Sequence, residues 1–394
     1  MVARSAEAKV LGIKMGVPLF KIRDLVAREG VIVCSSNYAL YGDLSARAMM
    51  TLESLVPRLE IYSIDEAFLD LTGTSSTIPL KTLCHDIKYR LARDVGLPVC
   101  IGVSTTKTLA KLANRAAKQY PATQGVVDLT DPARQRRLLA LCNVGDVWGV
   151  GHRLVNRLRQ QDIHTALDLA NASPKAIRGQ FSVVLERTVR ELNGEACIAF
   201  EDAPPTQQQI VCSRSFGERV TQKPVMMEAL ANFTANATAR LRQQGLAAKA
   251  ITVFIRTSPF KQEPQYANSR MATLPAPTSD TRVLLGRVRF MLERLWRDGF
   301  RYAKAGVMLN DFYDPQHLQA DLFDQPSHNS QAIMSALDRI NAELPGKLTL
   351  GSQGGTRNTA GSHVNCGPGW RMKQSRLSPR YTTRFSELPI ARIR

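Results

Sequence analysis

The chain has 394 residues, is 44% hydrophobic and 22% charged, and carries a formal net charge of +18. That length holds two to four domains with real cores, and the composition excludes a disordered chain. No run of about 18 apolar residues occurs, which excludes a transmembrane helix, and the N-terminal stretch Met1 to Lys9 lacks the apolar core of a signal peptide.

Seven cysteines, odd in number and without a C-x-x-C pair, fit a reducing cytoplasm rather than a disulfide framework or a zinc site. The positive charge is uneven. Residues 1–205 hold 26 Lys+Arg against 21 Asp+Glu, residues 206–313 hold 16 against 7, and residues 314–394 hold 10 against 6, or +5, +9 and +4. A basic segment beside a nearly balanced one points to a polyanion, nucleic acid above all, held by a dedicated grip.

In chain order, residues 6–11 read as a helix, followed by a loop punctuated by Gly12, Gly16 and Pro18. Residues 30–38 read as a strand running into a polar loop that ends at Tyr38. Asp43 to Val56 has helical spacing through Leu44, Met49, Leu52 and Leu55. β-Branched and aromatic residues then predict strands over 58–63 and 67–72, joined tightly, with Asp65 and Glu66 at the tip of a hairpin in the middle of a sheet. Two readings stand for this acid pair. It is a solvated turn, or it is neutralised by a cation, since adjacent buried carboxylates are costly alone. Oxygen donors without His or Cys favour a hard ion such as Mg²⁺. Helix 79–94, strand 98–104, helix 106–118 and strand 125–129 continue an α+β or α/β layer with one helical face.

A basic helix over 131–141 leads to Val144–Val155, where Gly149 and Gly151 open a helix running to about Gln160. This is the helix-hairpin-helix pattern: glycines let the backbone approach closely, and a helix N-terminus offers N–H groups to a phosphate. A packing turn would read the same way, but Arg153, Arg157 and Arg159 and the short helices 165–171, 173–180 and 183–194 favour a DNA-binding module. A linker near Ala203 to Ile210 precedes strand 209–219, helix 225–244, strand 249–257, strand 270–274, helix 280–298 and strand 303–311. This is a βαββαβ domain of the split type, bearing Arg214, Arg219, Lys249, Arg256 and Arg270. The tail from 314 is polar and Gly-rich and reads as partly disordered. Its final basic segment, 370–384, suits ordering on a partner. Within it, Gln319 followed by Leu322 and Phe323 suits a peptide that drops two apolar side chains into a pocket.

Several separate stretches together resemble the Y-family translesion DNA polymerases, in their UmuC-type branch. Ser63-Ile-Asp65-Glu66-Ala-Phe resembles the palm motif, and Gly102 to Lys118 the second signature. Ala6 to Gly16 resembles the fingers segment, Cys212 to Gly217 and Leu377 to Arg384 the UmuC branch. The resemblance implies a right-hand architecture: fingers over 1–40, palm over 41–140, helix-hairpin-helix thumb over 141–205, little finger over 206–313, and a tail over 314–394 with a sliding-clamp peptide. It implies error-prone, template-directed nucleotidyl transfer in the SOS damage response, in the cytoplasm. Mg²⁺ would sit on Asp65, Glu66 and a further carboxylate. Lys9 and Lys118 would hold the triphosphate of the dNTP, with Tyr38 facing the nucleotide. Primer–template DNA would be gripped at Gly149, Gly151, Arg153, Arg214 and Arg256, and the clamp by Gln319, Leu322 and Phe323. A processed UmuD-type dimer and the recombinase filament are the further partners it implies.

One departure stands against this. The family's first metal-binding Asp lies on a strand upstream of the fingers, followed by an aromatic residue that excludes ribonucleotides, and neither precedes Met1. The expectation is a late-assigned start or a truncated copy, with transfer slowed by roughly three decades or more. The alternative function is then a protein that holds DNA and the clamp without polymerising. A helix-hairpin-helix nuclease using the same acids is a third reading, disfavoured by the 102–118 signature.

Overall fold

The computed structural model describes residues 1–74, 78–201, 207–315, 330–344, 348–354, 370 and 374–388. The chain divides into two compact units, Met1–Pro204 together with Arg376–Arg394, and Pro205–Ser375.

The first unit opens with α1 (Ala6–Val10), capped by Ser5, whose Oγ accepts the Ala8 N–H. After α2 (Arg23–Arg28) comes α3 (Tyr38–Glu53). It begins five residues before its apolar spacing would suggest, because Asn37 caps it: Oδ1 accepts the Leu40 N–H. Residues 31–34 join no strand, contrary to the expectation for 30–38, and Ser35 forms a single bridge with Leu377. Strands β1 (Arg58–Ile61) and β2 (Ala67–Asp70) form an antiparallel hairpin in the register Arg58↔Asp70 to Ile61↔Ala67. Among the described residues this hairpin is a two-stranded pair. The tip therefore does not lie in the middle of a sheet, and both acids meet solvent: Asp65 is exposed and Glu66 half-exposed.

Helix α4 (Leu80–Arg90) runs into one π turn, Leu91–Val95. Ile87 and Leu91 pack with Met49, Leu52 and Val56 from the α3 side and with Leu59 and Leu69 of the hairpin. Strand β3 (Ile101–Val103), helix α5 (Lys107–Gln119) and strand β4 (Val126–Asp128) make a parallel crossover unit, Ile101 opposite Val126. A Cβ at Gly102 would lie 2.1 Å from the Asn114 nitrogen and 2.3 Å from the Ala110 oxygen, so only glycine lets β3 lie directly on α5. Thr106 caps α5 through the Leu109 N–H.

The same helix serves a second core. Leu109 and Leu112 pack with Leu139, Val144, Leu158, Leu169, Leu185 and Val189. These come from α6 (Pro132–Leu141), a 3₁₀ turn at Val144–Asp146, α7 (His152–Arg159), α8 (Ala166–Asn171) and α10 (Val183–Leu192), and Ile177 joins them from α9 (Pro174–Gln180). Glu191 of α10 is fully buried. Its carboxylate accepts the backbone N–H of Thr108 at 3.0 Å, Cys197 at 2.7 Å and Ile198 at 3.1 Å. A buried charge so satisfied is tolerable, and it pins the start of α5.

In the second unit β5 (Gln209–Val220), β6 (Ala247–Arg256), β7 (Ala267–Thr278) and β8 (Tyr302–Tyr313) form one antiparallel sheet in the order β5-β8-β6-β7. Helices α11 (Lys223–Gln243) and α12 (Thr281–Leu295) cover one face over Phe233, Leu241, Ile251, Val253, Leu292, Val307 and Leu309. A further helix, α13 (Ser330–Glu343), falls in the stretch read as tail. It is held by a double contact, Arg242 Nε to Asp338 Oδ2 at 2.6 Å and Nη2 to Oδ1 at 2.7 Å. Trp370 is buried here too, edge-on to Phe233 with its indole N–H donating to Glu228 at 3.1 Å.

Candidate active site

The hairpin turn is built by backbone closure. The N–H groups of Tyr62 and Ser63 both donate to the Glu66 carbonyl, at 3.1 and 3.0 Å. Ser63 Oγ donates to Asp65 Oδ1 at 2.7 Å, which orients that carboxylate. Glu66 points the other way. Its Oε2 accepts Lys111 Nζ at 3.0 Å. The ammonium is boxed by rings: it lies 3.9 Å from the Tyr62 centroid, 4.9 Å from Trp148 and 5.8 Å from Phe68. Trp148 donates its indole N–H to the Tyr62 hydroxyl at 3.2 Å. Lys111 therefore ties the acid turn to the helix-hairpin-helix segment through charge and ring faces together.

Helix α5 repeats the device along one edge. Lys107, one turn before Lys111, gives Nζ to Glu60 at 2.7 and 2.5 Å and to the Ala199 carbonyl at 2.6 Å. Arg115, one turn after, pairs with Asp146 at 2.6 Å. The helix thus commits three cations to three carboxylates of its own unit, while Lys118, in its last turn, is exposed to solvent. Sequence reasoning named Lys118 and missed the other three. The signal was present as the spacing 107, 111, 115, which places all three on one helix edge.

The remaining residues of interest are more scattered. Lys9 is exposed on α1. Tyr38, the first residue of α3, is 64% exposed and lies edge-on to Tyr41. Gly149 has φ +86°, a backbone state that L side chains avoid, and Gly151 is the N-cap residue before α7. Arg153 is exposed beside it. Arg256 and Lys304 are directly opposite across β6 and β8, on the sheet face away from α11 and α12. Arg214 is not with them. It pairs with Ala305, on the helix-covered side, and lines a recess with Asn236 and Arg240. Strand alternation gives the same placement, since Arg214 shares the parity of the buried Ile210 and Cys212. Gln319, Leu322 and Phe323 lie outside the described residues.

The chemistry of Asp65 and Glu66 suits a hard divalent ion. Both offer oxygen, both are reachable, and Asp65 has one oxygen beyond its Ser63 bond. Among the described residues no group of three or more His, Cys, Asp or Glu side chains gathers to hold a metal. Two carboxylates still fit Mg²⁺, which commonly takes one or two from protein and the rest from substrate phosphates and water. Among the described residues no helix is long and apolar enough to cross a membrane.

Comparison with known proteins bears on the same regions. Residues 1–115 match the impB/mucB/samB family, and residues 207–322 its C-terminal domain. The chain is 48% identical to Protein UmuC of Salmonella typhimurium, over 98% of this chain and 90% of that protein. It belongs to the impB/mucB/samB family. The chain is a translesion DNA polymerase of this UmuC type. It is also 44% identical to Protein MucB of Escherichia coli, over 100% of this chain and 91% of that one. DNA polymerase IV of Caulobacter vibrioides is 27% identical over 86% of this chain and 81% of the relative. In fold, a Y-family DNA polymerase chimera superposes with TM-score 0.61 at 20% identity, covering 79% of this chain and 86% of that structure. Residues 331–391 match a domain described only as of unknown function, DUF4113.

Proposed function

We propose that this UmuC-type polymerase adds nucleotides to a primer across damaged template in SOS mutagenesis, with Asp65 and Glu66 as its metal-holding carboxylates. The single observation that carries the assignment is the turn itself: two adjacent, accessible carboxylates, one oriented by Ser63 and the other by Lys111. Mg²⁺ bound there would supply activation of the primer 3′-hydroxyl and neutralisation of charge on the leaving pyrophosphate. The protein's own part is positioning and electrostatics. Lys118 and Lys9 are exposed cations suited to the triphosphate, and Lys118 is the member of its basic helix edge left in solvent. Tyr38 presents an exposed ring suited to the nucleotide sugar or base.

Primer–template DNA would lie against the Gly149–Gly151 turn, where N–H groups and Arg153 meet phosphate. The sheet face away from α11 and α12, carrying Arg256 and Lys304, would provide the second grip. The sliding clamp would take Gln319, Leu322 and Phe323. A processed UmuD-type dimer and the recombinase filament would act as activators in the cytoplasm. Primer extension tests the assignment: Asp65→Asn should abolish it while leaving DNA binding intact, and an equally active variant would remove the acid pair from the chemistry.

A further inference from the structure

Residues Arg376–Leu388, within the stretch that matches the domain of unknown function, belong to the first unit and bond to Ser35, Asn37 and Asp43. The contact is a ladder of specific bonds. The Ser35 N–H donates to the Arg376 carbonyl at 2.7 Å, and the Arg376 N–H returns to Ser35 Oγ at 3.3 Å. Asn37 Nδ2 donates to Ser378 Oγ at 3.1 Å and to the carbonyls of Ser378 and Pro379 at 3.4 Å each. Thr382 Oγ1 donates to Asp43 Oδ2 at 2.6 Å, and this hydroxyl holds the Asp43 carboxyl below its ordinary range. The segment also braces itself, since the Arg380 N–H donates to Glu387 at 2.6 Å and Arg384 pairs with the same carboxylate at 3.0 Å.

Asn37 joins the two elements. It is 4% exposed, and both ends of its amide are spent. Oδ1 caps α3, and Nδ2 is held by a segment 341 residues further along the chain. A cap fixed at both ends has one orientation, and the cap sets where the first helical residue stands. That residue is Tyr38. Thr382 fixes the same helix again at Asp43, inside its second turn. Helix ends otherwise fray, and an exposed ring on a fraying end must be ordered each time it meets a ligand.

We propose that Arg376–Leu388 is a positioning strap for the nucleotide site: it clamps the N-terminus of α3 through Asn37 and Asp43 and so fixes Tyr38 for the incoming dNTP. This rests on the reading of Tyr38 as a residue that faces the nucleotide. Ser378 and Thr382 are positioning residues, remote from the reacting atoms. The strap is a functional part of the catalytic unit although it comes from the far end of the chain.

The test uses the full chain carrying Ser378→Ala with Thr382→Val, beside Thr382→Ser and Tyr38→Ala. Hydrogen exchange at the amides of 38–43 and primer-extension kinetics in dNTP are read on each. For the strap variant the expected result is faster exchange at those amides by about tenfold, the worth of one to two hydrogen bonds. KM for dNTP should rise by a similar factor while kcat changes less than about twofold. Thr382→Ser should behave as the parent chain. Unchanged exchange overturns the strap. Faster exchange with unchanged KM also overturns it, provided Tyr38→Ala raises KM. If Tyr38→Ala leaves KM unchanged, the reading of Tyr38 has failed and the proposal falls with it. Should the double variant unfold, Ser378→Ala alone carries the same comparison with a smaller expected shift.

Discussion

Replacing Lys111 by Met keeps an unbranched apolar stem and removes the charge. Two contributions are then lost. The first is the ion pair to Glu66 at 3.0 Å, with side chains 19% and 38% exposed. Partial exposure screens it, so it contributes about 0.5–1 kcal/mol. The second is the ammonium over three rings, nearest Tyr62 at 3.9 Å. In a mostly covered site this contributes about 1–2 kcal/mol. The sum, roughly 2 kcal/mol, should lower the melting temperature of a unit of this size by about 4–8 °C. A double-mutant cycle separates the two contributions. Glu66→Gln removes only the ion pair, so the cycle with Lys111→Met should return a coupling of about 0.5–1 kcal/mol, the remainder belonging to the rings. Calorimetry or circular dichroism on the four proteins reads this directly. Additivity within about 0.3 kcal/mol, or a melting shift below about 1 °C for Lys111→Met, would refute the account of Lys111 as the tie between the acid turn and the Trp148 segment.

Other outcomes follow from the same geometry. Gly102→Ala places a methyl against the backbone of α5, where neither side can yield. A loss of about 3 kcal/mol or more is expected by denaturant unfolding, and a mild effect would mean that β3 and α5 are further apart. Arg256→Ala should weaken DNA binding at low salt and reduce the slope of log affinity against log salt by about one phosphate contact, with Arg214→Ala smaller because it faces the helix-covered side; equal effects would contradict the division of faces. Leu322→Ala with Phe323→Ala should reduce capture of the chain by an immobilised sliding clamp, and undiminished capture would remove that peptide from the account.

Much of the fold was legible because its elements are marked locally. The acid hairpin, the crossover at 101–128 and the alternation of sheet and helix from 209 to 313 follow from β-branched runs, caps and periodic apolar residues. What was not legible depends on partners distant in sequence. Residues 31–34 have strand composition, yet among the described residues they join no strand, and their neighbour Ser35 forms a bridge with Leu377, which no local pattern could announce. Helix α13 is joined to the second unit by Asp338 meeting Arg242, 96 residues away in the chain. The basic segment 370–384 suited ordering on a partner; within this chain Trp370 packs in the second unit, and the residues from Arg376 bond to the first. At the candidate site the acids were readable as a pair, but their surroundings were not. Lys107, Lys111 and Arg115 look like a solvated basic helix face until Glu60, Glu66 and Asp146 are seen opposite them. Arg214 and Arg256 lie on opposite faces of the sheet, which follows from cross-strand register rather than from either strand alone.

The most direct measurement is single-nucleotide primer extension by the full chain with Mg²⁺ and dNTPs, comparing the parent with Asp65→Asn and Glu66→Gln at matched DNA occupancy. The account predicts a fall in rate of about three decades or more for Asp65→Asn, the scale of losing one ligand from a metal-assisted transfer, with DNA affinity unchanged. Extension by Asp65→Asn at the rate of the parent chain would contradict it.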